Sequence, residues 1–161
     1  MADLWCAVTA LGLLVPGLAR IDYLGTSFGG GIGALAIPWD DRLAAACLVV
    51  PSFGNHPLRI TVPNTGSGAA VSRYVQQHPE TLEVLRWYDA ATAAGFAPLP
   101  VHVAVAREDA VVPAAGQLSI ADALAGSRIG RFVLSYGHRD YPGRGQELAE
   151  LWEAQRRFLG S

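Results

Sequence analysis

The stretch Leu24–Ala36, LGTSFGGGIGALA, sets one serine among five glycines and decides how the rest of the chain is interpreted. Its pentapeptide GTSFG fits the pattern G-x-S-x-G and lies between an apolar strand pattern and an Ala/Gly-rich helical pattern. A nucleophile elbow occupies that position between strand and helix. Because the nucleophile of such an elbow has a strained backbone, its neighbours Gly25 and Gly29 must lack bulk. The pattern predicts a catalytic Ser27; the alternative is a structural glycine bend.

The helix after the elbow would direct backbone N–H groups at an oxyanion, and we assign Phe28 N–H as the oxyanion-hole donor. A serine at its ordinary pKa is a weak nucleophile and needs a base that a third group orients. In this architecture the acid and then the histidine follow the serine along the chain, each just after a strand.

Four histidines compete for the role of the base. His138, in SYGHRDY, directly follows the final predicted strand and a glycine that frees the turn, so we choose it. His102 lies inside a buried strand pattern. His56 and His78 lie in polar segments beside prolines and are predicted to be exposed.

The acid should follow the penultimate strand, where VHVAVAREDAVVP offers two carboxylates. Asp109 is the choice, because its spacing to the next proline fits a loop that turns back toward the site; Glu108 is the alternative. Asp89 and Asp122 fall within helical patterns, where solvated or capping roles are expected.

Strand and helix patterns alternate along the chain, which predicts an α/β fold: a mostly parallel sheet with helices on both faces. We expect a single domain over residues 1–161, with an irregular loop insertion over 52–72. The predicted strands cover 20–26, 43–51, 99–106 and 130–136. The predicted helices cover 3–15, 28–37, 79–95, 113–126 and 145–160.

Composition excludes several classes of function. Of the 161 residues, 51% are hydrophobic and 16% are charged, and the formal net charge is −2. With no basic run, the chain does not look like a nucleic-acid binder.

The N-terminal apolar stretch LWCAVTALGLLVPGLA is too short to span a bilayer, so it is predicted to be a core-packed helix, with a signal peptide as the alternative.

The two cysteines, Cys6 and Cys47, are far apart in apolar surroundings, and we expect buried free thiols in a reducing, cytoplasmic compartment, with a disulfide as the alternative. Neither has a neighbour at zinc-ligand spacing. No metal and no cofactor is expected.

At these motifs the chain resembles the acetyl xylan esterase and cephalosporin-C deacetylase family of α/β-hydrolases. RIDYLGTSFGGG is similar to that family's strand and elbow, PVHVAVAREDAVVP to its acid loop, and YGH to its histidine turn. VLRWYDAATAA is similar to a helical segment of the family. The resemblance implies the triad Ser27, Asp109 and His138. The chain departs from the family at Phe28, where glutamine is usual, and in the sequence before the acid, which usually reads Gly-Leu-x-Asp.

The resemblance implies a serine carboxylesterase that removes small acyl groups, acetyl foremost, from sugars or related alcohols. The alternative is a weakly active or non-catalytic half domain that serves as a binding or assembly module. A dienelactone-hydrolase-like enzyme usually has cysteine as the nucleophile, and Ser27 counts against it.

Relative to that family, the chain begins at the helix before the nucleophile strand and corresponds to the C-terminal half of the fold. The N-terminal strands, and the loop that donates a second oxyanion N–H, are then expected to be missing. The nucleophile strand would have a bare edge, for which we expect a second copy of the chain or a complementary chain as partner. A small ester or acetylated sugar is the expected substrate, with neither nucleic acid nor membrane as partner.

Overall fold

Four parallel strands form the sheet, and their order in the sheet, β1-β2-β3-β4, is also their order in the chain. The computed structural model describes residues 1–125 and 128–160. The strands are β1 (Asp22–Thr26), β2 (Ala45–Val49), β3 (Val101–Glu108) and β4 (Ile129–Tyr136). The helices are α1 (Ala2–Leu14), α2 (Phe28–Ala36), α3 (His56–Arg59), α4 (Gly66–Gln77), α5 (Thr81–Leu85), α6 (Ala90–Ala94), α7 (Ala114–Ala123) and α8 (Arg144–Leu159), with 3₁₀ turns at Ile37–Trp39 and Arg86–Tyr88.

Helices cover both faces of the sheet, as predicted. Successive residues of a strand point to opposite faces. Val101 and Val103 of β3 pack in one hydrophobic cluster with residues of α2, α6 and α7, whereas Ala104 packs in a second with Leu151 of α8. The central strands are buried because their sequences are almost continuously apolar, which a parallel sheet covered on both faces requires.

Strand β1 lies at one edge of the sheet and pairs with β2 alone within the described ranges. The side chain of Leu24, in the middle of β1, is half exposed. Pairing of this edge with another chain stays a prediction.

Helix α1 forms where it is predicted, but the expectation that it packs in the core is wrong for most of its length. Val8 is its one buried residue, and Leu13 and Leu14 are almost fully exposed. Because the helix is apolar on all sides, its sequence does not indicate which face is inward. Cys6 is exposed, contrary to the prediction, whereas Cys47 is buried in β2; both are free thiols. Among the residues that the structure describes, no helix is long and apolar enough to cross a membrane.

The single helix predicted over 79–95 is divided at Asp89. Helix α5 ends at Leu85, and a 3₁₀ turn precedes α6, whose N-terminus is capped by the Asp89 carboxylate through the N–H groups of Ala91 and Thr92. Aspartate favours such capping positions over a helix interior. Asp89 is a buried cap and Asp122 an exposed residue paired with Arg131, in keeping with the roles expected for them.

The segment predicted as an irregular loop, 52–72, contains α3 and the first half of α4. Asn55 has a left-handed backbone and caps α3 through the Leu58 N–H, a local structure that a loop-like composition conceals. The predicted exposure of His56 is also wrong: it is buried, and its Nε2 donates a hydrogen bond to the Tyr88 carbonyl. His78 is exposed, as predicted.

Candidate active site

Ser27 stands on the sharp turn between β1 and α2. Its φ is 56° and its ψ is −115°, a strained conformation for a residue with a side chain. The backbone around it is fixed by neighbouring segments: Ser27 N–H donates to the Val49 carbonyl at 2.8 Å, and Ser52 N–H donates to the Ser27 carbonyl at 3.1 Å. The end of β2 therefore holds the elbow in place.

The two elbow glycines differ in how strongly the structure requires them. A Cβ at Gly25 would lie 2.7 Å from the carbonyl carbon and oxygen of Gly29, so that position excludes a side chain. A Cβ at Gly29 would come no closer than 3.7 Å to its nearest contact, the Tyr23 hydroxyl, which is an ordinary van der Waals distance. The steric need for glycine holds at Gly25 and not at Gly29.

Three side chains from three strand ends form one hydrogen-bonded chain. His138 Nε2 lies 2.7 Å from Ser27 Oγ, and His138 Nδ1 lies 2.8 Å from Asp109 Oδ2. Since a carboxylate can only accept, Nδ1 carries the proton and Nε2 presents its lone pair to the serine hydroxyl. The structure thus brings together the serine, the acid and the histidine that the sequence predicts.

The Asp109 side chain is fully buried and accepts hydrogen bonds on both carboxylate oxygens, whereas the His138 side chain is 26% exposed. Its Oδ1 accepts from the backbone N–H groups of Val111 and Val112 at 2.9 and 3.0 Å, and its Oδ2 also accepts from Gln117 Nε2 at 3.2 Å. A carboxylate fixed in this way keeps the imidazole in one tautomer and orientation. Glu108, the alternative acid, is exposed at the end of β3.

Sequence reasoning missed the residues that position this acid. Gln117 is fully buried: its Oε1 accepts from Ala106 N–H at 2.8 Å, and its Nε2 donates to the Val112 carbonyl at 2.7 Å. A glutamine within a helical pattern gives no signal of such a role. From the sequence, Gly137 is predicted only to give the backbone freedom for a turn, yet in the structure it packs against the Asp109 carboxylate.

The chain on both sides of His138 is hydrogen-bonded to Glu147 of α8. Its carboxylate accepts from the backbone N–H and the hydroxyl of Ser135, the latter at 2.8 Å, and from the Tyr141 hydroxyl. Desolvation alone would raise the pKa of Glu147, but these hydrogen bonds outweigh it and lower that pKa. Burial, together with the Glu147 contact, raises the pKa of Tyr141 to about 12. His138 therefore lies in a turn whose two ends are fixed.

Phe28 is the first residue of α2, directly after Ser27. The N–H groups of the first helical turn have no intrahelical acceptor and point away from the helix. The Phe28 ring is 66% exposed and meets the ring of Phe53 edge-on, with 5.3 Å between centroids. The role of its N–H in an oxyanion hole stays a prediction.

Within residues 1–125 and 128–160, no group of three or more histidine, cysteine, aspartate or glutamate side chains is placed to hold a metal ion.

No protein-family model and no curated protein sequence matches the chain. Solved structures do. An acetyl xylan esterase from Paenibacillus sp. R4 superposes with a TM-score of 0.74 at 20% identity, over 92% of this chain and 51% of that one. A puromycin hydrolase superposes with a TM-score of 0.73 at 19% identity, over 96% of this chain and 24% of that one. An acylaminoacyl peptidase from Pyrococcus horikoshii superposes with a TM-score of 0.79 at 15% identity, over 98% of this chain and 27% of that one.

These neighbours share the α/β-hydrolase fold, and the present chain has that fold, as the resemblance in sequence implies. It spans about half the length of the acetyl xylan esterase and about a quarter of the other two.

Proposed function

We propose that the protein is a serine hydrolase that cleaves small esters. The observation that carries the proposal is the continuous chain Ser27–His138–Asp109, with hydrogen bonds of 2.7 and 2.8 Å and the serine on a strained elbow. Unrelated folds use the same arrangement of groups to activate a serine.

In the proposed mechanism each group has its own step. Ser27 Oγ attacks the ester carbonyl while His138 Nε2 takes its proton, and Asp109 stabilises the imidazolium that forms. The Phe28 N–H stabilises the oxyanion of the tetrahedral intermediate. His138 then protonates the leaving alcohol, and water, activated by the same imidazole, releases the acyl group from Ser27.

Within this class we propose acetyl esters of sugars or related alcohols as substrates, on the resemblance to acetyl xylan esterases in the motifs around Ser27, Asp109 and His138. The Phe28 N–H is the oxyanion-hole donor in this proposal, and removal of one donor from such a hole lowers turnover by about 10²–10³-fold.

The test is hydrolysis of 4-nitrophenyl acetate by the wild type and by Ser27→Ala, with Thr92→Ala as the matched control. Thr92 is an exposed residue of α6, outside the site. We expect Ser27→Ala to lose turnover to the background rate and the control to retain it. Equal rates in wild type and Ser27→Ala would reject nucleophilic catalysis by Ser27.

Intact-mass detection of a fluorophosphonate adduct on Ser27 gives an independent readout. A folded protein that the probe fails to label would favour the second candidate, a hydrolase-derived module that binds without catalysis. Comparison of acetyl, butyryl and octanoyl esters tests the preference for acetyl groups, which equal kcat/KM values across the series would contradict.

A further inference from the structure

A cavity of about 330 Å³ opens beside the elbow. Its wall is largely apolar and is made by α2, α4 and the segments around α3 and α5. The apolar lining residues are Phe28, Ile32, Leu35, Phe53, Val71 and Leu85. Since Phe28 directly follows Ser27, the cavity begins next to the proposed nucleophile.

Arg59 contributes a positive charge to this wall, although only 7% of its surface is exposed. Among the residues that the structure describes, no carboxylate lies within ion-pair distance of its guanidinium, and its buried Nε has no hydrogen-bond partner. Burial lowers the pKa of Arg59, but an arginine remains protonated at neutral pH. The cavity therefore contains a charge that has no counterion within the described chain.

The surroundings of Arg59 compensate this charge only weakly. Its guanidinium carbon lies 5.9 Å from the centroid of the Phe53 ring, a cation–π contact at the long end of the useful range. Buried arginines are normally paired, because desolvation of a cation costs more than one such contact returns.

His56, on the same helix and the same wall, cannot be the counterion of Arg59, because an imidazole is either neutral or positively charged. Its Nε2 donates to the Tyr88 carbonyl, and burial lowers the pKa of the ring, which disfavours a second positive charge in this wall. None of the side chains that line the cavity is a carboxylate.

We propose that Arg59 binds a carboxylate group of the ligand in this cavity. A planar guanidinium matches a carboxylate with two parallel hydrogen bonds, and a single arginine in an apolar wall suits a monoanion better than a phosphate, which calls for more donors. The inference rests on the proposed function for its consequence: the ester that Ser27 cleaves carries a carboxylate group.

The direct test measures binding rather than turnover. Titration calorimetry compares phenylacetate with the neutral phenylacetamide on the wild type and on Arg59→Met, which keeps the apolar stem. We expect the wild type to prefer phenylacetate and Arg59→Met to bind it about ten- to a hundredfold more weakly, with phenylacetamide unaffected. The proposal would be overturned if the wild type bound phenylacetate no more tightly than phenylacetamide, or if Arg59→Met bound phenylacetate as tightly as the wild type does.

A second variant keeps the test decisive if Arg59→Met does not fold. Ser67 lines the cavity from the first turn of α4, where an acidic side chain is favourable, so Ser67→Asp should fold and supply Arg59 with an internal counterion. Phenylacetate binding should then be lost. Ala70→Asp, exposed on the same helix and outside the cavity, is the matched control and should bind normally; equal loss in both variants would contradict the proposal.

The outcomes also separate this inference from the proposed function. If phenylacetate binding depends on Arg59 while ester turnover does not depend on Ser27, the carboxylate site stands and the hydrolase fails. If turnover depends on Ser27 while phenylacetate binding ignores Arg59, the hydrolase stands and the carboxylate site is overturned.

Discussion

Gly137 and Asp109 are packed so closely that a Cβ on Gly137 would overlap with Asp109 Oδ2. That oxygen is the one that accepts the His138 Nδ1–H. The Gly137 N–H donates to the Glu108 carbonyl at 2.8 Å, which ties the histidine turn to the acid loop through the backbone. The turn can approach the acid in this way because position 137 has no side chain.

We expect Gly137→Ala to displace Asp109 from His138 and to lower ester turnover by about 10²-fold or more, the cost of a misplacement on the order of 1 Å in an active site. The measurement is kcat/KM for 4-nitrophenyl acetate. Gly145→Ala in α8, where a Cβ would meet nothing within 4 Å, is the control. Wild-type turnover in Gly137→Ala would show that the close packing does not position the acid.

Gln117 should be a stability residue as well as a support for the acid. Gln117→Leu leaves the Ala106 N–H and the Val112 carbonyl without their partner in a buried place, and each such group costs about 1–3 kcal/mol. We expect denaturant unfolding to report a loss of about 2 kcal/mol or more. Gln76→Leu, exposed on α4, should change little. A loss of similar size in both variants would argue against these hydrogen bonds as the cause.

The buried histidines should make the protein less stable in mild acid. Desolvation lowers the pKa of His102 and of His56 below the ordinary value of 6.5. The unfolded chain therefore binds more protons, so this stability is complete above pH 6.5 and is lost as the pH falls through the lower folded pKa. We expect the free energy of unfolding to decrease as the pH falls below 6.5.

His102→Gln should flatten that pH dependence, as denaturant unfolding at several pH values would show. His78→Gln, at an exposed position, should leave it unchanged. A wild-type stability that is constant over this range would contradict the prediction.

The two thiols should differ sharply in reactivity. Cys47 is buried, and its pKa is raised to about 11 by desolvation and by the charge of Asp22, whereas Cys6 is exposed. Because the thiolate is the reactive form, DTNB at pH 7.5 should modify one thiol in the native protein and the second only after unfolding. Cys6→Ser should remove the fast reaction; rapid modification of both thiols in the wild type would refute the assignment.

The strands and the positions of Ser27, Asp109 and His138 could be predicted because their signals are local: an apolar run, a glycine-flanked serine and polar residues just after strand ends. Parallel topology then places those strand ends at one edge of the sheet. What the sequence could not indicate depends on how side chains are packed in three dimensions. The role of Gln117 follows from hydrogen bonds to the backbone of Ala106 and Val112, and that of Arg59 from the lack of a nearby carboxylate among the described residues.

Because the four described strands follow one another across the sheet in chain order, β1, β2 and β3 can pair before β4 has been synthesised. Ser27 reaches its position when β1 has paired with β2, but its hydrogen-bond acceptor, His138, lies 111 residues further along. A nascent chain that has assembled β1 to β3 therefore holds the serine without a base. The proposed chemistry can begin only when β4 is in register, so ester turnover would also report that β4 has joined the sheet.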